Sequence, residues 1–172
     1  MSYYENKVAV LHTGEGDITI RFYPEKAPNH VRNFIDLSEQ GYFNGTKFHR
    51  TVPGFMIQGG DPNTKSDNRN TWGMGNSGKY VKAEFNDIHH GRGIVSMARS
   101  SDPDSASSQF FIVVADAGFL DGKYTAFGEV TKGMDVADKI VNGKAQGELA
   151  VNPVEIKSVT VEEAKDKSGS SK

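Results

Sequence analysis

Cysteine is absent from this 172-residue chain, and tryptophan occurs once. Without cysteine there are no disulfides, no thiolate metal ligands and no cysteine nucleophile. Neither sign of charge is in surplus: 20 Lys and Arg against 22 Asp and Glu leave a net charge of −2. A balance so near neutral gives no general electrostatic reason to bind nucleic acid or an anionic membrane. Long apolar runs are missing as well, and none approaches the roughly 20 residues that a membrane-spanning helix needs. The opening residues, Met1 to Lys7, do not show the basic-then-apolar order of a secretory leader. These absences leave the expectation of a soluble, monomeric, cytoplasmic domain, long enough to bury a core without staples.

What is present reads mostly as short strands. Lys7–Thr13 and Asp17–Tyr23 flank Gly14-Glu15-Gly16, and Ile18, Ile20 and Phe22 alternate onto one face. Period-two alternation around a glycine turn is a hairpin signature. Further strands are expected at 47–51, 55–58, 94–98, 109–114, 126–130 and 154–161, separated by clusters of Gly, Asn, Asp and Pro. Helical spacing takes over twice. Pro28 suits a first helical turn, and Val31, Phe34, Ile35 and Ser38 follow on one stripe up to Gly41. Met134, Ala137, Ile140 and Val141 form a second stripe ending at Gly143. Many strands with two helices predict a mainly β fold, a closed or nearly closed barrel with helices over its ends, because closure removes sticky edges. Residues 164–172 are poor in apolar side chains and are expected to form a disordered tail beyond a domain over 1–163.

Three motifs carry chemistry on paper. Gly73-Met-Gly-Asn-Ser-Gly78 spells the dinucleotide fingerprint, but a polar loop precedes it and an extended-looking segment follows, where the fingerprint needs a strand and a helix. His89-His90 suggests metal, yet neighbours on a strand point to opposite faces, so a surface turn before Gly91 is the simpler reading. The run Ser100–Ser108 offers hydroxyls and carboxylates without a nucleophile elbow or calcium-loop spacing, and reads as a loop that borders a site at most.

The stretch Phe48-His49-Arg50-Thr-Val-Pro53-Gly54-Phe55-Met56-Ile-Gln58-Gly-Gly-Asp61 differs from these. A strand bearing His-Arg turns at Pro-Gly into a strand bearing Phe-Met-x-Gln, which can bring a cation, an aromatic and an amide to one patch. A surface ion pair for Arg50 and a core position for Phe55 explain the pattern equally well. The stretch resembles the cyclophilin signature, however. It is followed in order by Ser96-Met-Ala98, Ser108-Gln-Phe-Phe-Ile112, Phe119-Leu-Asp-Gly-Lys123 and Phe127-Gly-Glu-Val130. The resemblance spans roughly Val8 to Val161, and its details are similar to the short bacterial cyclophilins.

The resemblance implies an eight-stranded antiparallel closed β-barrel capped by two α-helices. It also implies a peptidyl-prolyl cis/trans isomerase that assists protein folding with no metal or cofactor. Its substrates would be proline-containing peptides and unfolded or folding proteins. Carried over residue by residue, it makes Arg50, Phe55 and Gln58 the catalytic set. Met56, Phe111 and Leu120 join Phe55 in walling the proline pocket, His49 borders Arg50, and Ala98, Arg99 and Ser100 lie along the extended peptide. Gln109 lines a neighbouring subsite. Phe119 stands where many eukaryotic members carry Trp, so cyclosporin, which uses the indole N–H, is expected to bind weakly. Tyr124 stands where His is common. The alternative is a peptide-binding chaperone or scaffold with incidental isomerase activity, which would not require Arg50 with Gln58.

Overall fold

A computed structural model describes residues 2–164. The first hairpin follows from its alternation: Ala9 and Leu11 of β1 (Lys7–Thr13) face inward, opposite Ile20 and Ile18 of β2 (Gly16–Phe22). Around it the chain builds one antiparallel sheet from β3 (Arg50–Val52), β4 (Met56–Gly59), β5 (Ile94–Met97), β6 (Phe110–Val113) and β7 (Ala126–Lys132), with β8 (Ala145–Gln146), β9 (Leu149–Ala150) and β10 (Ile156–Glu163). The strand order is β10-β1-β2-β7-β5-β6-β4-β3-β9-β8.

Two expectations are corrected here. Among the described residues there are ten strands rather than eight, the extra pair being the β8–β9 hairpin, whose two-residue strands are too short to show a period. The ladder is also not closed. Where β10 meets the chain before β3, an isolated bridge joins Lys47 to Glu155, and Phe48 N donates to Val154 O at 2.9 Å. Ile156 N also donates to Thr46 O at 2.7 Å, so the gap is drawn together by one bridge rather than by a paired edge. The tail expected over 164–172 lies, but for Ala164, outside the described residues.

Helix α1 (Pro28–Glu39) starts on Pro28 and receives no side-chain cap from Ala27. Glu84 supplies the missing acceptor from a distant loop, taking Asn29 N at 3.2 Å and His30 N at 2.9 Å. A carboxylate at a helix N-terminus both satisfies orphan donors and meets the positive end of the dipole. The buried Phe34 of α1 packs its ring among Phe22, Phe43, Phe110 and Phe127. Helix α2 (Met134–Val141) buries Val136, Ala137, Ile140 and Val141. Among the described residues no helix is long and apolar enough to cross a membrane.

Register then divides the apolar residues into two clusters. Thr51 pairs with Ile57 and Ile57 with Ile112, and Ile57 and Ile112 enter the main core with Val95, Met97 and Phe110. Their sequence neighbours point the other way: Met56, Phe111 and Val113 join Ala117 and Leu120 in a second, smaller cluster outside the sheet. A one-residue slip would exchange these faces, so burying the main core fixes which residues reach the outer surface.

Candidate active site

On that outer face Arg50 stands opposite Gln58 across β3–β4, and Gln58 stands opposite Phe111 across β4–β6. The turn between β3 and β4 is closed by Phe55 N donating to Val52 O at 2.9 Å. Polar side chains run through the site as one chain of hydrogen bonds. Arg50 Nε donates to Glu148 Oε1 at 2.7 Å, and Arg50 Nη1 donates to Gln58 Oε1 at 3.0 Å. Gln58 Nε2 donates to Gln109 Oε1 at 2.9 Å, and Gln109 Nε2 donates to the carbonyls of Gly73 and Gly75, each at 3.0 Å.

Beside this chain lies an open groove of about 580 Å³. Met56, Phe111 and Leu120 give it a buried apolar floor, and Phe55 and Phe119 form one wall with ring centroids 5.5 Å apart. Tyr124 meets Phe111 edge-on at 5.9 Å. Ala98 and Arg99 complete the lining, but the Arg99 guanidinium does not face outward as a free cation. It lies 4.4 Å over the Tyr124 ring and donates to Lys123 O at 2.7 Å, which makes it part of the wall. His49 borders Arg50 as the sequence placed it, with burial pushing its ring pKa below the ordinary value. A neutral His49 puts no second positive charge against Arg50.

Ser100 and Gln109 open instead onto an adjoining groove of about 580 Å³, whose rim carries Met74, Tyr80, Asp102 and Asp104. The two grooves share Gln58, Gly73, Ala98 and Arg99. Every site residue expected from the sequence therefore reaches one of two contiguous surfaces. Trp72, Gly73, Glu148 and Leu149 also line the first groove, and sequence reasoning does not select them. Gly147-Glu148 is findable as the Gly-X pair that a two-residue hairpin turn favours; Trp72 lies in an aperiodic loop and gives no such signal.

Supports for the groove come from motifs whose spelling suggests other chemistry. Asp61, fully buried, accepts Asn63 N at 2.8 Å on one oxygen and Gly73 N on the other, pinning the glycine-rich loop against the site. Gly60, just before it, sits at φ +90°, where an added Cβ would lie 2.3 Å from Ser108 O. No helix follows Gly78, so the nucleotide fingerprint lacks its anion-binding context, as expected. The histidine pair corrects the surface-turn reading in part. His89 is exposed, but His90 is buried, with Nδ1 2.9 Å from Asp121 Oδ1 and Nε2 2.9 Å from Ser96 Oγ. The His90 backbone N–H, helped by His89, holds the Asp121 carboxyl at a pKa of about 2. Asp121 directly follows Phe119 and Leu120, so this contact anchors the short turn that carries the wall.

A family model described as cyclophilin type peptidyl-prolyl cis-trans isomerase/CLD matches residues 8–161. The chain belongs to the cyclophilin family. Its activity class, isomerisation of X–Pro peptide bonds, comes with that membership. It is 42% identical over 162 residues to a peptidyl-prolyl cis-trans isomerase A from Dickeya dadantii, covering 91% of this chain and 82% of the relative. A peptidyl-prolyl cis-trans isomerase from Acinetobacter baylyi is 43% identical over 142 residues, covering 80% of this chain and 73% of the relative. Among solved structures, a cyclophilin-type isomerase from Cryptosporidium parvum, crystallised in the presence of the dipeptide Ala-Pro, superposes with a TM-score of 0.81 at 30% identity. That match covers 90% of this cyclophilin and 98% of the other chain.

Proposed function

We propose that this cyclophilin turns X–Pro bonds in the groove beside Arg50, with Arg50 as the catalytic donor. The single observation that carries the assignment is the placement of Arg50. Its Nε and Nη1 are occupied by Glu148 and Gln58, while Nη2 has no partner among the described residues, at the edge of an apolar groove.

The chemistry asks for little else. Rotation about X–Pro is opposed by amide conjugation, a barrier of about 18–20 kcal/mol. Midway through the turn the prolyl nitrogen loses conjugation and its lone pair becomes an acceptor. A donor aimed at that nitrogen stabilises the twisted state more than either planar state, and that difference is what accelerates a reaction. A guanidinium stays protonated and keeps its donors in a fixed plane. One preorganised donor of this kind is worth about 3–4 kcal/mol, or roughly 10²–10³ in rate. Met56, Phe111 and Leu120 offer the proline ring a surface without donors, matching a ring that has none to satisfy. Gln58 both holds Arg50 and keeps an amide on the groove for the peptide backbone.

The Ala-Pro dipeptide named with the Cryptosporidium parvum structure supports proline-containing peptides as ligands here. The adjoining groove at Ser100 and Gln109 extends the surface for residues next to the X–Pro pair. Folding proteins are the substrates we assign, on the strength of the family membership. The test is Arg50→Lys, which keeps the charge but loses the planar fork. A loss of turnover with peptide binding retained supports an aimed donor; full turnover would show that a nearby positive charge suffices.

A further inference from the structure

We propose that Glu148 is the positioning residue of this active site, tying Arg50 so that its free terminal nitrogen faces the substrate. The proposal rests on the reading of Arg50 as the donor. Glu148 comes from the β8–β9 hairpin, a part of the chain that contributes nothing else charged to the groove.

Its position is set by backbone bonds. The hairpin turns on Gly147-Glu148, with Gly147 at φ +61°, a conformation that side chains other than glycine rarely adopt. Glu148 O accepts from Thr51 N at 2.9 Å, Leu149 pairs with Arg50, and Ala150 N donates to His49 O at 2.9 Å. The hairpin is therefore stitched to β3 on both sides of Arg50, so the carboxylate arrives beside the guanidinium by register rather than by chance contact.

The ion pair has little to do with stability. The Arg50 and Glu148 side chains are 37% and 56% exposed, and pairs that open to water contribute little to folding. What the pair does restrict is the guanidinium. An arginine anchored only through Nη1 can still swing about its long side chain, and an aim that must be found anew in each turnover is lost rate. Held at Nε by Glu148 and at Nη1 by Gln58, the planar group has two of its three corners fixed, and the third, Nη2, is left for the prolyl nitrogen. Gln58 is braced in turn through Gln109 onto the glycine-rich loop. Arg50 is thus held from two parts of the chain roughly ninety residues apart, numbered near 58 and 148.

Steady-state kinetics on a prolyl peptide test this with Glu148→Ala, Glu148→Gln, Arg50→Ala and the Arg50→Ala/Glu148→Ala double variant. Glu148→Ala is expected to lower kcat by roughly threefold to tenfold, within reach of one charge-assisted hydrogen bond. KM should stay within about twofold and the melting temperature should hardly move. Glu148→Gln keeps an oxygen for Nε–H and should recover much of the loss. The double variant should be no slower than Arg50→Ala, because a residue acting through Arg50 has no effect once Arg50 is gone. Equal slowing by Glu148→Ala in both backgrounds, or no slowing at all while Arg50→Ala is slow, overturns the proposal. If Arg50→Ala itself turns over like the wild type, the donor assignment fails instead.

Discussion

Arg50 and Gln58 are cross-strand partners in β3–β4, and Arg50 Nη1 donates to Gln58 Oε1 at 3.0 Å. In the proposed mechanism this pairing makes the amide part of the donor's mounting as well as part of the peptide surface. Because Gln58 also donates to Gln109 at 2.9 Å, removing it disconnects Arg50 from the glycine-rich loop. Gln58→Ala is expected to cut kcat/KM by roughly tenfold, the scale of losing one hydrogen bond to a charged group. Thermal unfolding should show a fold still intact. Wild-type kcat/KM in this variant would mean that Arg50 needs no bracing from β4.

Much of this site is legible in the amino-acid sequence. Arg50, Phe55 and Gln58 sit in a strand–turn–strand whose alternation, once the core side is fixed by Ile57 and Ile112, dictates that Arg50, Gln58 and Phe111 share the other face. The Gly147-Glu148 turn is legible as a Gly-X pair, but its contact with Arg50 is not, because the two-residue strands show no periodicity and Arg50 lies 98 residues away in sequence. Trp72 and the Asp61–Gly73 bond belong to an aperiodic loop for the same reason. His90 misleads because its spacing says only that it opposes His89; its burial depends on Asp121 and Ser96, which come from other parts of the chain. The open sheet order likewise depends on pairing between residues 46–48 and 154–156, where the backbone bonds make only an isolated bridge.

Phe119 is 66% exposed at the groove wall, against Phe55. A tryptophan there would add an N–H donor to a surface now lacking one. Phe119→Trp is therefore expected to tighten cyclosporin inhibition while leaving prolyl-peptide turnover within about twofold, since the ring still covers the same floor. An inhibition titration of the two proteins decides it. Tight inhibition of the wild type, with no gain in the variant, runs against the role given to Phe119.

His89 presents both ring nitrogens to carboxylates, Nδ1 lying 2.6 Å from Asp121 Oδ2 and Nε2 bonded to Asp116. Both bonds can be donated at once only by the imidazolium, and the two carboxylates raise the His89 pKa above its ordinary 6.5. A raised folded-state pKa means that the contribution to stability is complete below the unfolded value and is lost as pH climbs through the folded one. The melting-temperature gap between the wild type and His89→Gln should thus be largest on the acid side of 6.5 and shrink on going alkaline. Proton NMR should place the His89 titration above 6.5, and Asp116→Asn should bring it down. A titration at or below 6.5 in the wild type contradicts the clamp.

The most direct test of the whole assignment is the rate at which Arg50→Ala isomerises a prolyl peptide, set beside the wild type under the same conditions. The wild type should accelerate the reaction, and the folded variant should lose at least tenfold, with about a hundredfold in reach for a single preorganised donor. A variant that folds like the wild type and keeps its turnover would contradict the assignment, and the groove would then be a peptide-binding surface whose chemistry lies elsewhere.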